Sequence, residues 1–459
     1  MSSTDEKDLK IESSILNGHI LPKMLAFALP LILSGILQQL YNTADTLIVG
    51  AMGGKEALAA VGATGSTSNL LVTIFLSIFV GTDILVARAK GTGDDVSLKK
   101  IVSTTYVTAL AFGVILTIAG ELLARPMMLL TECPPNIIDD ATLYLQIYFL
   151  SMPGSMFANF SSSVIRSSGD SRSPFIYLSI SGLCNVTGNV VLVLTVNNPV
   201  IAVAISTTVS IYVSALLFFI HMVRDKSATG LSPFNFSFNV PIFMKTARFG
   251  IPSAIASTTY ALTNLIIQPV VNSYGDIAIS GTAASVAIEG YVFIIAQAFG
   301  TTVSTFMGQN IGASKRDRVK RVLVSGYIAN SLIAIVFSVI ILSIGKTLIG
   351  LFIPGETEAI EFGYLRLTMI IGAGVLNAIL NINRGALQAY GYTFLQMISN
   401  LIGISLFSIV WVLVIYPLDP TPFNFLISYP ISWLVSALPM LIVVILLTKR
   451  YLNGKEFKL

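Results

Sequence analysis

Apolar residues in this chain gather in blocks separated by short polar breaks, and a block of about 20 is what a helix needs to cross ~30 Å of hydrocarbon. Taken in order, the blocks predict twelve spans, at 24–50, 57–88, 101–123, 141–166, 174–197, 199–223, 246–272, 277–312, 319–344, 360–388, 393–416 and 424–448. Segments of ten residues with alternating polarity, the mark of a transmembrane β-barrel, do not occur. The expected fold is therefore an all-α integral membrane protein. Only Val196-Asn197-Asn198-Pro199 divides the fifth span from the sixth, and that cluster is a strong turn signal.

Lysine and arginine set the orientation, because they accumulate in cytoplasmic loops. The breaks after even-numbered spans carry Lys90, Lys99 and Lys100, Arg166 and Arg172, Arg224, Lys226, Lys245 and Arg248, and a cluster from Lys315 to Arg321. The C-terminus adds Lys449, Arg450, Lys455 and Lys458. Breaks after odd-numbered spans hold only Lys55, Arg125, Lys346 and Arg366, together with acids such as Glu132, Asp139 and Glu361. Both termini are thus expected in the cytoplasm.

The chain also repeats itself. Phe27-Ala28-Leu29-Pro30 returns as Phe249-Gly250-Ile251-Pro252, and Val49 to Gly53 returns as Val271 to Gly275, each 222 residues later. Gly91-Thr92 matches Gly312-Ala313 at a shift of 221, and Asn159 with Gly169 matches Asn381 with Gly391 at 222. Such a constant shift argues for duplication of a six-helix unit, and an even number of helices gives two parallel repeats. The expected organisation is a cytoplasmic segment at 1–23, lobes at 24–223 and 246–448, a cytoplasmic linker at 224–245 and a tail at 449–459.

Composition agrees with the pattern. Of 459 residues 54% are hydrophobic and 11% charged, and the mean hydropathy is +0.81, where soluble domains carry about 25% charge. The net charge of +4, confined to loops, argues against nucleic acid binding. The first 22 residues contain no apolar core, so no cleavable signal peptide is expected and the first span serves as its own insertion signal. Cys133 and Cys184 make neither a disulfide framework nor a metal site. His19 and His221 stand apart, there is no phosphate loop or nucleophile triad, and an enzyme is not expected. With no nucleotide site and no cofactor expected, any work must draw on an ion gradient.

One stretch breaks the apolar rule in the first span. Gln38, Tyr41, Asn42 and Asp45 share a helical face, so a carboxylate points from a segment otherwise suited to lipid. An intramembrane acid costs roughly 2.5 to 3.5 kcal/mol and marks a functional site by default. On the fifth span Asn185 and Asn189, four apart, face the same way, with Asn159 and Thr207 as weaker members of the same cluster.

Pro30, the run Gln38-x-x-Tyr41-Asn42-x-x-Asp45-x-x-x-x-Gly50, the loop Gly308-Gln309-Asn310-Ile311-Gly312-Ala313 and Gly385-x-Leu387-Gln388-x-x-Gly391 resemble the multidrug and toxic compound extrusion (MATE) family, most of all its DinF-like and bacterial or archaeal multidrug-resistance branches. The resemblance extends over all twelve spans. It implies two six-helix lobes around a central cleft, cation-coupled antiport, and Asp45 as the coupling acid with Gln38 and Tyr41 lining its cavity. The DinF-like branch usually carries Asp where this chain has Asn189. One carboxylate with amides is a poorer cage for a hard cation than two, which favours H+ over Na+ while leaving both open.

Glu289, within Ala287 to Tyr291 of the eighth span, resembles an acid of the multidrug-resistance branch. It is expected to act as a counter-charge for cationic substrates or a second protonation site, or else to partner a polar group on another helix. The NorM-like branch's acid on the seventh span has no counterpart here, and the tenth offers Asn377, Asn381, Asn383 and Arg384 but no Asp, so coupling is expected in the N-terminal half. Asp83 and Arg88 are placed near the cytoplasmic mouth, as gate or anchor residues. Tyr148, Met152, Met156 and Phe157, with Tyr260, Tyr291 and Phe293, offer an adaptable lining for apolar or aromatic cations. The expected protein is a monomeric efflux antiporter of a bacterial or archaeal plasma membrane, embedded in lipid, that exchanges small organic compounds for protons or sodium by alternating access. The rival reading is a flippase for lipid-linked saccharides, which predicts a basic cavity and often fourteen spans.

Overall fold

A computed structural model describes residues 15–131, 133–225, 227, 229–230 and 237–455. Glu132, Lys226 and Lys458, counted above among the loop charges, lie outside the described residues, as do positions 1–14 of the N-terminal segment. Everything between the turns is helix, and among the described residues there is no strand. The protein is an all-α membrane protein.

Among the described residues ten single helices are long and apolar enough to cross a membrane: Ile20–Gly54, Val72–Thr92, Asp95–Leu130, Arg172–Thr195, Pro199–Arg224, Val240–Ser273, Asp276–Gly312, Arg316–Phe352, Thr393–Leu418 and Pro422–Leu452. They correspond to spans one to three, five to nine, eleven and twelve. Span ten is the bent pair Thr357–Gly372 and Gly374–Tyr390, turned by 46°. Span four is likewise a pair, Ile138–Leu150 and Met152–Ser167. Their interruptions, Ser151 and Ala373, are equivalent in the repeat. Pro153 ends the backbone hydrogen bonding of the first, and Gly372 and Gly374 flank the second.

The duplication is visible in the backbone itself. Gly54 (φ 75°, ψ −172°) and Gly275 (φ 80°, ψ −173°) adopt one conformation that a side chain would strain. That pairing corrects the register at this turn, where Gly53 was aligned with Gly275, from 222 to 221. Gly93 at φ 71° matches Ser314 at φ 56° with the same 221 shift, and Gly169 matches Gly391 at 222. Local caps follow the sequence: Asn198 accepts from the amides of Val200 (2.9 Å) and Ile201 (3.3 Å) with Pro199 in the first turn, and Asp94 accepts from Ser97 at 2.9 Å.

The chain divides into two compact units, Leu29–Gly250, and Ile251–Leu459 together with the N-terminal segment as far as Ala28. The divisions fall two residues before Pro30 and Pro252. The first turns of spans one and seven therefore pack with the opposite half of the sequence, which boundaries at 24 and 246 do not convey. In the C-terminal unit Phe27 meets Phe306 edge-on at 5.5 Å. In the N-terminal unit a Cβ on Gly250 would strike the Ile78 carbonyl oxygen at 2.3 Å. Close backbone approach through small residues is the usual cement of membrane helices.

Candidate ion site and the charges of each unit

In the N-terminal unit, span one and span five meet because Gly182 leaves room for Tyr41: a Cβ there would sit 1.7 Å from the Tyr41 ring. The Tyr41 hydroxyl donates to the Ser179 carbonyl at 3.3 Å. One turn further along span one, Asp45 accepts a hydrogen bond from Asn189 Nδ2. The same Nδ2 faces Asn185 Oδ1 at 3.4 Å, Asn185 Nδ2 donates to Thr207 Oγ1 at 3.3 Å, and Ser206 Oγ donates to the Asn185 carbonyl at 2.8 Å. Four of the five residues expected to bind the ion thus converge.

The fifth does not. Asn159 is exposed and its amide donates to the Ser155 carbonyl of its own helix at 2.9 Å, a local bond, and it makes no hydrogen bond to the cluster among the described residues. Asp45 makes no ion pair among the described residues. Asn189 Oδ1 is buried without a hydrogen-bond partner. The cluster therefore offers a half-buried carboxylate, an unpaired amide oxygen and a hydroxyl, with no resident positive charge. Oxygen ligands around one negative charge suit a proton or a small hard cation. Tyr144, which the sequence reading did not single out, lies within electrostatic reach of Asp45 and stacks on Tyr148 with ring centres 6.4 Å apart. Its spacing of four from Tyr148 in a broken span was the available signal.

The residues proposed to line a substrate cavity are divided between the units. Gln38 is exposed and Tyr148 half-buried, whereas Met152 and Met156 are wholly enclosed in the N-terminal core. Tyr260 is exposed and Tyr291 half-buried in the C-terminal unit. A second acid of the N-terminal unit, Asp83, is half-buried where it accepts from Ser163 and, at 2.8 Å, from Ser167, with Arg166 nearby.

Glu289 is not a free counter-charge. Its two carboxylate oxygens accept from Arg366 Nε at 2.9 Å and Nη2 at 3.0 Å, a bidentate pair whose residues are only 2% and 6% exposed. The Arg366 guanidinium also lies 5.2 Å from the centre of the Tyr429 ring. This corrects the placement of Arg366 in a loop: it sits inside the helix Thr357–Gly372, where Glu289 and Tyr429 compensate its charge. Of the readings open for Glu289, the partner on another helix is the one the geometry supports.

A polytopic helical protein with duplicated six-helix halves and an intramembrane acid facing amides in one half has the architecture of a membrane transporter. The sequence matches the MatE family over residues 30–191 and 252–414, blocks that begin at the two prolines the repeat pairs. The chain belongs to that family; it is a multi-pass plasma-membrane transporter and not an enzyme. It is 29% identical over 360 residues to the probable multidrug resistance protein YoeA of Bacillus subtilis, covering 76% of each chain. With the probable multidrug resistance protein YpnP of the same organism it shares 27% over 391 residues, 84% of this chain and 86% of that one. Its fold superposes on a MOP superfamily transporter from Pyrococcus furiosus with a TM-score of 0.89 at 17% identity, covering 96% of this chain and 99% of the other.

Proposed function

We propose that the protein is a secondary antiporter that exports small amphipathic organic compounds in exchange for protons, with Asp45 as the coupling group. The observation that carries this reading is the intramembrane Asp45, held by Asn189 and without a basic partner among the described residues. An isolated charge in that position is expensive unless it is neutralised in part of a cycle. Ionised, Asp45 draws on the Asn189 amide; neutralised by an ion arriving from outside, it loses that electrostatic demand and favours a second arrangement of spans one and five. A ligand with different affinity for two arrangements shifts their populations, which is all that coupling requires.

The oxygen set favours protons over sodium. It holds one carboxylate with amide and hydroxyl oxygens, whereas a sodium cage gains from a second charge. The multidrug resistance names of the relatives supply the substrate class, small organic compounds. The test is efflux of a fluorescent compound from proteoliposomes under a proton or a sodium gradient imposed separately. Export driven by the proton gradient in wild type, and lost in Asp45→Asn, is the expected result. Full gradient-driven export by Asp45→Asn would refute the assignment.

A further inference from the structure

The charges inside the C-terminal unit do not cancel. Glu289 and Arg366 satisfy each other, which leaves Arg384 as a further intramembrane charge on the helix Gly374–Tyr390. It lies about 9 Å from the end of that helix, six residues at 1.5 Å each. Among the described residues Arg384 makes no ion pair. Nη2 reaches only the neutral amide oxygen of Asn400, at 3.3 Å, an oxygen shared with Ser436 Oγ at 3.4 Å. Nε is buried with no acceptor at all. The residue nevertheless keeps part of its surface open, so a solute can reach it.

Two neighbours give this position the form of a binding site. Tyr260 of span seven is 45% exposed and close enough to interact electrostatically with the guanidinium. Directly after Asn400, span eleven widens into a π-helical turn, Leu401–Leu406, and such turns collect at functional sites. An arginine left unpaired in a membrane interior is costly, and its fork of donors matches planar oxyanions. An anion would supply the acceptor that Nε lacks.

We propose that Arg384, with Asn400 and Tyr260, binds the acidic group of a transported amphiphile, a carboxylate or phosphate carried on an apolar body. This rests on the transport reading above and extends it: the substrates include acids and zwitterions as well as cations. An anionic lipid headgroup offers the same chemistry, and the experiment separates the two sources.

Full-length protein in phosphatidylcholine nanodiscs is titrated with dansylglycine and with its methyl ester. Energy transfer is read from Trp411 and Trp433, the chain's two tryptophans, both in the C-terminal unit. The acid is expected to bind about tenfold tighter than the ester, the scale of one charge-assisted hydrogen bond. Arg384→Gln removes the preference, while Arg384→Lys keeps part of it because the charge remains without the fork. Equal affinity of acid and ester in wild type overturns the proposal even if Arg384→Gln fails to fold, and so does an undiminished preference in a folded Arg384→Gln. Competition by phosphatidylglycerol added to the nanodiscs would assign the site to a lipid headgroup and overturn the substrate assignment; binding unaffected by that lipid upholds it. Wild-type export of a fluorescent cation, measured on the same purified protein reconstituted in proteoliposomes, reports on the transport reading alone, so a failed anion site and a failed transporter give different results.

Discussion

Removing Glu289 should destabilise the protein far more than removing the whole ion pair. The Glu289→Ala change leaves the Arg366 guanidinium buried, 6% exposed, with the Tyr429 ring as its remaining compensation. Breaking one side of a buried pair costs about 3–5 kcal/mol, because the surviving charge keeps its desolvation penalty and loses its attraction. The cation–π contact returns about 2 kcal/mol of this. Replacing both residues, Glu289→Leu with Arg366→Met, removes penalty and attraction together, and similar exchanges in other proteins are neutral or stabilising by about 1–4 kcal/mol. The assay is thermal unfolding in detergent followed by size exclusion, for wild type, both single variants and the double variant. The expected outcome is a large loss in Glu289→Ala, an equal or larger one in Arg366→Ala, and recovery to near wild type in the double variant. A Glu289→Ala variant as stable as wild type would refute the structural role, as would additive losses in the double variant.

Other consequences are equally concrete. Asn159→Ala should leave ion-driven export unchanged, while Asn189→Ala should weaken it at least several-fold, since only the latter touches Asp45; comparing initial efflux rates decides. Gly182→Ala should lower thermal stability by about 1–3 kcal/mol, the usual range for overpacking, because its methyl overlaps the Tyr41 ring, and Tyr41→Ala should restore part of the loss. Ser314→Gly should stabilise by roughly 1 kcal/mol, because Ser314 holds a left-handed conformation that Gly93 adopts without strain at the equivalent place, and an unchanged unfolding temperature would contradict this.

The features legible in the sequence were those with a physical signature in one segment. Span length, the Asn-Asn-Pro turn and the recurrence of Pro30 at Pro252 follow from local composition and spacing. Asp45 declared itself because an acid among apolar residues is expensive wherever it points. Long-range satisfaction was not legible. The readings of Glu289 stayed open because its partner lies 77 residues away in sequence, and Arg366 looked like a loop cation until the helix that buries it was seen. Asn159 shared a predicted cluster with Asn185, yet a polar side chain can satisfy itself on its own helix, and spacing does not reveal that choice. The paired interruptions at Ser151 and Ala373 were half visible, through Pro153 and the flanking glycines. The π-helical turns of span eleven leave no compositional trace, since Leu401–Leu406 and Trp411–Ile415 are ordinary apolar residues.

Asp45 as the coupling acid is tested most directly by proton release on substrate binding, measured with a pH dye on purified protein in weakly buffered detergent. If one group binds the proton and substrate competes with it, linkage requires that wild type release up to about one proton per substrate bound and that Asp45→Asn release none. Release from Asp45→Asn equal to that from wild type would contradict the account.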